Sequence, residues 1–186
     1  MRLLIVIDMQ NGVFATPRYD REGRANLINR LISAADQTIF IQHIEGEMAE
    51  GSELWRILPE LAQPDGAIYV NKTACDAFWN TELENVLSRL DANNVVICGC
   101  ATDYCLDTTI KVGASKGYAI TVASDAHTTS DRTYATAQQL IGQHNEVWAE
   151  LSIPGNAIQV KPTDSIIAAW GGLISGRVSG SCRTAR

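Results

Sequence analysis

No run of roughly 18 or more apolar residues occurs in this chain, so no segment suits a helical membrane span. Clustered basic residues are missing too. Lys and Arg number 15 against 21 Asp and Glu, a formal net charge of −6, which argues against nucleic-acid partners because phosphate binding needs grouped cations. No secretory signal is expected at the start: Leu3–Ile7 is apolar, but Asp8 ends the run too early for an h-region with a cleavage site. Cysteine is sparse and odd in number. The five residues (Cys75, Cys98, Cys100, Cys105 and Cys182) are too unevenly spread for a disulfide framework, and free thiols in a reducing cytoplasm are expected. The composition, 46% apolar and 19% charged, excludes a disordered chain. No internal repeat or linker divides the 186 residues, which suit one domain. That domain is expected over residues 1–170, with residues 171–186, rich in Gly, Ser and Arg, as a flexible tail.

Short apolar runs alternate with stretches of helical period. The runs Leu3–Asp8, Thr38–His43, Ala67–Val70, Val95–Gly99, Tyr118–Ala123 and Ala157–Val160 do not alternate cleanly with polar residues, which predicts strands buried on both faces. Between them, Leu27, Ile28, Leu31, Ile32 and Ala35 share a helical face, as do Leu83, Val86, Leu87 and Leu90. A third helix is predicted from near Cys105 to about Lys116, and a fourth carries Tyr134, Ala137, Leu140 and Ile141. Strands separated by helices imply right-handed crossovers. The predicted fold is a three-layer α/β/α domain with a six-stranded parallel sheet in the order 3-2-1-4-5-6.

Ligands of such sheets bind beyond the carboxyl ends of the strands, where the strand order reverses. Asp8 closes the first strand, Lys72 follows the third, and Cys105 stands six residues past Gly99, at the turn into a helix. With strands one and four as neighbours, a carboxylate, an ammonium and a thiol converge. The thiolate is the nucleophile, yet at pH 7 a free thiol is only about 3% ionised. The first turn of a helix favours negative charge, and an ammonium ~4 Å away adds up to roughly 4 kcal/mol of attraction at an effective dielectric of 20. Both favour the thiolate, opposed by desolvation and by the charge of Asp8. Asp8 suits proton transfer, taking the thiol proton and giving it to the leaving group. The segment Gly99–Cys105 turns sharply before a helix, so its backbone N–H groups are candidates for an oxyanion site.

These stretches carry a resemblance. Leu4-Ile5-Val6-Ile7-Asp8-Met9-Gln10-Asn11, then Asn71-Lys72 with Asp76-Ala77-Phe78 and Thr81-Glu82-Leu83, then Gly99-Cys100-Ala101-Thr102-Asp103-Tyr104-Cys105, then Ser124-Asp125-Ala126-His127 follow in order along about residues 2–165. The chain so read resembles the isochorismatase-like cysteine hydrolases, whose members include nicotinamidases, N-carbamoylsarcosine amidohydrolase, ureide hydrolases and isochorismatase. The resemblance implies a catalytic triad of Asp8, Lys72 and Cys105, a cis peptide at Cys100–Ala101, an oxyanion hole from the Ala101 and Cys105 amides, and a homo-oligomer, dimer or tetramer. Nicotinamidases of the family hold a metal on an Asp-x-His pair and a further His after the second strand. Here that region reads Gln42-His43-Ile44-Glu45, which departs from the pattern. No metal and no cofactor are expected.

The implied activity is hydrolysis of a C–N bond (amide, ureide or carbamoyl) in a small molecule through a thioester. The alternatives are an isochorismatase-type vinyl-ether hydrolase and a non-catalytic binding or assembly protein on the same fold. At residue level, Asp8 has the default role of capping the turn after a strand, and lysine is ordinarily solvated. Cys98-x-Cys100 with Cys105 and His127 admits a zinc reading, although small cysteines also pack well in a buried strand. His127 is either the base of a Cys–His dyad, a pocket residue or a structural one. Phe14, Trp79, Tyr104 and His127 are the candidate substrate-binding residues, with Trp55 a further aromatic for the same wall.

Overall fold

The structure, a computed structural model, describes residues 1–175. Strand β1 (Leu3–Ile7) is buried along its whole length. It lies at the centre of a six-stranded sheet with β2 (Gln37–His43), β3 (Ile68–Lys72), β4 (Asn94–Cys100), β5 (Ala119–Thr128) and β6 (Gln159–Lys161), in the order β3-β2-β1-β4-β5-β6. Every pairing is parallel, as the sequence predicts.

The absence of alternation in the strands has the expected cause, because apolar cores lie on both faces. Leu3, Ile5 and Ile7 pack on one side with α2 (Leu83–Arg89), α3 (Asp107–Ser115) and Trp148 of α4 (Ala137–Glu150). Leu4 and Val6 pack on the other with α1 (Arg21–Ala34) and Ile166 of α5 (Thr163–Ser175). The helices thus form the two outer layers of an α/β/α sandwich. Among the described residues, no helix is long and apolar enough to cross a membrane.

Four expectations need correction. Helix α4 starts at a capping box in which Thr136 and Gln139 satisfy each other's backbone N–H, so Tyr134 precedes it and stands 97% exposed. Strand β3 extends to Lys72, and β5 continues through Thr128. Between the pairs Ile97–Val122 and Gly99–His127 the register slips, with extra residues on β5. One of these, Asp125, accepts from the amide and hydroxyl of Thr163 at 2.8 and 2.7 Å, fixing the start of α5. That helix crosses the expected boundary at residue 170; the rest of the expected tail, residues 176–186, lies outside the described residues.

Candidate active site

The site forms at the carboxyl ends of β1, β3 and β4, where the chain must leave the sheet. Asp8 follows β1 with φ of 50°, and its amide donates to Ile41 O at 3.0 Å. Gly99, paired with Ile7, has φ of +121°, and a Cβ there would lie 2.2 Å from Ile7 O and 2.7 Å from Ile7 N. Only glycine allows β1 and β4 to approach this closely before the turn that carries Cys105. The Cys100–Ala101 peptide bond is cis. Residues Thr102–Leu106 then form a single π-helical turn, in which the Leu106 amide reaches back to Ala101 O at 3.2 Å. Such turns recur at functional sites because they redirect a side chain within a continuous helix. Cys105 sits in this turn, ahead of α3, and is half-buried.

The turn is pinned on several sides. Thr102 Oγ1 and His127 Nδ1 lie 2.7 Å apart, and His127 Nε2 lies 3.0 Å from Asn145 Oδ1 on α4. Asp103 accepts from Arg132 Nε at 2.8 Å and from Thr129 Oγ1. Asp107 accepts from Trp148 Nε1 at 2.8 Å.

Lys72 unites the set. Its side chain is wholly buried, and Nζ lies 2.7 Å from Asp8 Oδ2, 3.2 Å from Cys105 Sγ and 2.8 Å from His43 Nδ1. Asp8 Oδ1 is buried and has no hydrogen-bond partner among the described residues. Burial pushes the Lys72 pKa down, but the Asp8 carboxylate first and the contact with Cys105 second outweigh it and hold the ammonium above its ordinary range. At the thiol the opposing influences prevail. Burial first and the Asp8 carboxylate second push Cys105 up, and the ammonium offsets only part of this. One carboxylate already balances one ammonium in a water-poor pocket, so a thiolate would be a second, uncompensated anion. The arrangement therefore favours the protonated thiol over the thiolate.

The aromatic and histidine candidates separate by burial. Phe14 is 7% exposed within the α1-side core and is a packing residue, since the sequence did not show how the turn after β1 folds inward. His127 is 0% exposed with both ring nitrogens engaged, and burial lowers its pKa to about 4. It ties the Cys105 turn to α4, and neither pocket lining nor the dyad role fits. Trp79 and Tyr104 are exposed, the latter beside Cys105 and under the Arg132 guanidinium at 4.7 Å. Trp55 donates to Asn71 Oδ1 at 3.0 Å and borders a cavity of about 340 Å³ with Gln42 and Tyr69. That cavity is not lined by Asp8, Lys72 or Cys105. Cys98 and Cys100 are fully buried; burial pushes Cys100 to about 12 and Cys98 higher still, as packed small side chains rather than ligands.

Two residues carry more than the sequence reading gave them. His43 pairs with Lys72 across β2 and β3. Gln10, 0% exposed, grips the His43 backbone, accepting from its amide at 2.7 Å and donating to its carbonyl at 3.0 Å. A polar residue two positions after Asp8 was the available signal. Asp8, His43 and Cys105 also bring an oxygen, a nitrogen and a sulfur within 4.8 Å of one another. Each of these residues, however, bonds the Lys72 ammonium. A divalent ion among them would adjoin a fixed positive charge, so the family's metal does not fit this donor set.

A doubly wound parallel sheet with thiol, ammonium and carboxylate meeting at its switch point defines a small α/β protein with a preformed polar cluster there. The Isochorismatase domain model matches residues 2–145. The chain belongs to the isochorismatase family, a family of hydrolases. It is 30% identical over 150 residues to the secreted isochorismatase effector Isc1 of Verticillium dahliae, covering 75% of this chain and 78% of that protein. It is 26% identical over 169 residues to the ureidoacrylate amidohydrolase RutB of Caulobacter segnis, covering 66% and 70%. The crystal structure of an isochorismatase family protein superposes with a TM-score of 0.79 at 28% identity, covering 86% of this chain and 96% of that one.

Proposed function

We propose that the protein hydrolyses a C–N bond of a small amide, ureide or carbamoyl compound through a thioester on Cys105. The observation that carries this reading is the Lys72 ammonium bonded at once to Asp8 Oδ2 and Cys105 Sγ. A relative named as an amidohydrolase supports the bond type. Because burial and the Asp8 carboxylate disfavour a free thiolate, activation and attack are coupled. Asp8 accepts the Cys105 proton as Sγ adds to the carbonyl carbon, and Lys72 neutralises the charge on sulfur. The amides of Ala101 and Cys105 hold the developing oxyanion. Asp8 then protonates the nitrogen, the C–N bond breaks and the amine leaves. Water, deprotonated by Asp8, attacks the thioester, and the acid departs as Cys105 regains its proton. Trp79 and Tyr104 form the outer wall of the substrate site in this reading, and free thiols suit a reducing cytoplasm.

The test is turnover of a panel of amides, ureides and carbamoyl compounds by the full-length protein, with intact-mass detection of an adduct on Cys105. Cys105→Ala and Asp8→Asn should each reduce turnover at least about 10³-fold. Full activity in Cys105→Ala would point to ether hydrolysis and reject the thioester route.

A further inference from the structure

We propose that His43 is a positioning residue for the catalytic set. Its Nδ1 takes the third N–H of the Lys72 ammonium, and Glu45 holds the ring in the tautomer that can do so. The inference rests on the thiol mechanism above.

An ammonium has three donors and no acceptor. At Lys72 the acceptors are Asp8 Oδ2, Cys105 Sγ and His43 Nδ1, at 2.7, 3.2 and 2.8 Å. The Lys72 side chain is 0% exposed, so no bulk water replaces a missing partner. Since the ammonium cannot accept, Nδ1 presents its lone pair and the ring proton resides on Nε2. That nitrogen lies 3.2 Å from Glu45 Oε2, and Glu45 reaches it from solvent, 77% exposed against 13% for His43. The position of the ring is fixed in turn. Gln10 clamps the His43 backbone from both sides, and the Ile44 amide donates to Lys72 O at 2.8 Å. Glu45, His43 and Lys72 thus form a chain from the surface to the sulfur. Without the third acceptor, one N–H of a buried ammonium is unpaired. The ammonium then turns or loses its proton, and the nascent thiolate loses its counter-charge. His43 touches no reacting atom; it acts through Lys72.

The probe is iodoacetamide, with alkylation of Cys105 in the full-length chain followed by peptide mass spectrometry and Cys75 as the internal reference. His43→Leu should slow Cys105 about tenfold or more. His43→Asn, whose Oδ1 stands near the place of Nδ1, should return the rate to within about threefold of the original. Nitrogen-15 spectra should show the His43 proton on Nε2; with three histidines in the chain, assignment is simple. An unchanged rate in folded His43→Leu, no rescue by His43→Asn, or a proton on Nδ1 would each overturn the proposal. If His43→Leu does not fold, the tautomer in the unmodified protein decides. Lys72→Met separates the two readings. If it slows Cys105 while His43→Leu does not, only the positioning role fails; if neither slows it, the thiol mechanism fails as well.

Discussion

His127 makes the protein acid-sensitive in a way that can be isolated. Its ring is buried, edge-on to Trp148 at 5.2 Å, and bonded to Thr102 and Asn145. Burial lowers its pKa from 6.5 to about 4. Above pH 6.5 the ring is neutral in both the folded and unfolded chains and contributes no pH dependence. Between pH 6.5 and 4 the unfolded chain binds the proton first, so folded stability falls by up to about 1.4 kcal/mol per pH unit. The full penalty by pH 4 is about 3 kcal/mol. At neutral pH, His127→Gln should cost about 1–3 kcal/mol, because it disturbs buried hydrogen bonds. It also removes the titrating ring, so its deficit should shrink by about 3 kcal/mol as pH falls to 4 and should vanish or reverse there. Urea unfolding of both proteins at several pH values between 7 and 4 measures this, and titrations remote from the site cancel in the difference. A deficit constant to within about 0.5 kcal/mol across that range would refute the reasoning. Activity should follow, since Thr102 opens the turn that carries Cys105.

Gly99→Ala should be among the most damaging single substitutions, costing about 4 kcal/mol or more. The new Cβ meets Ile7 backbone rather than a movable side chain, and a midpoint shift in denaturant checks it; an unshifted midpoint would mean that β1 and β4 can separate freely. Lys72→Met should leave the Asp8 carboxylate buried without its cation, lowering stability by about 3–5 kcal/mol at neutral pH and abolishing turnover. The raised Lys72 pKa means its own contribution is fully present below the ordinary lysine value of 10.5 and is lost as pH rises through the folded value. Calorimetry should therefore show the wild-type advantage over Lys72→Met shrinking in strong alkali.

The elements and the three central site residues were legible because their signals are local. Unalternating runs such as Leu3–Ile7 can only be strands covered on both faces, and the helices between them force a parallel sheet. Asp8, Lys72 and Cys105 could be read at or after strand ends because ligands of a doubly wound sheet bind beyond those ends. Other features gave no local sign. Helix α5, mostly apolar from Ile166 onward, begins within the expected domain and runs on into a stretch read as tail. Phe14 looked like a pocket aromatic because burial depends on where the following turn folds. The slip in β5 that sets His127 beside Gly99 is invisible in composition.

The sequence by itself determined the fold class, the order of the elements and which side chains could react, because backbone periodicity and residue chemistry act over a few neighbouring positions. The tertiary structure alone decided what those side chains are when they meet. Register between β2 and β3 set His43 against Lys72, and burial beside Asp8 decided the balance at the Cys105 thiol in favour of a raised pKa. The physical reason is that proton affinity and hydrogen bonding in a dry pocket depend on the charges within a few ångströms. Here the groups that meet come from residues 8, 72 and 105, which only the folded chain brings together.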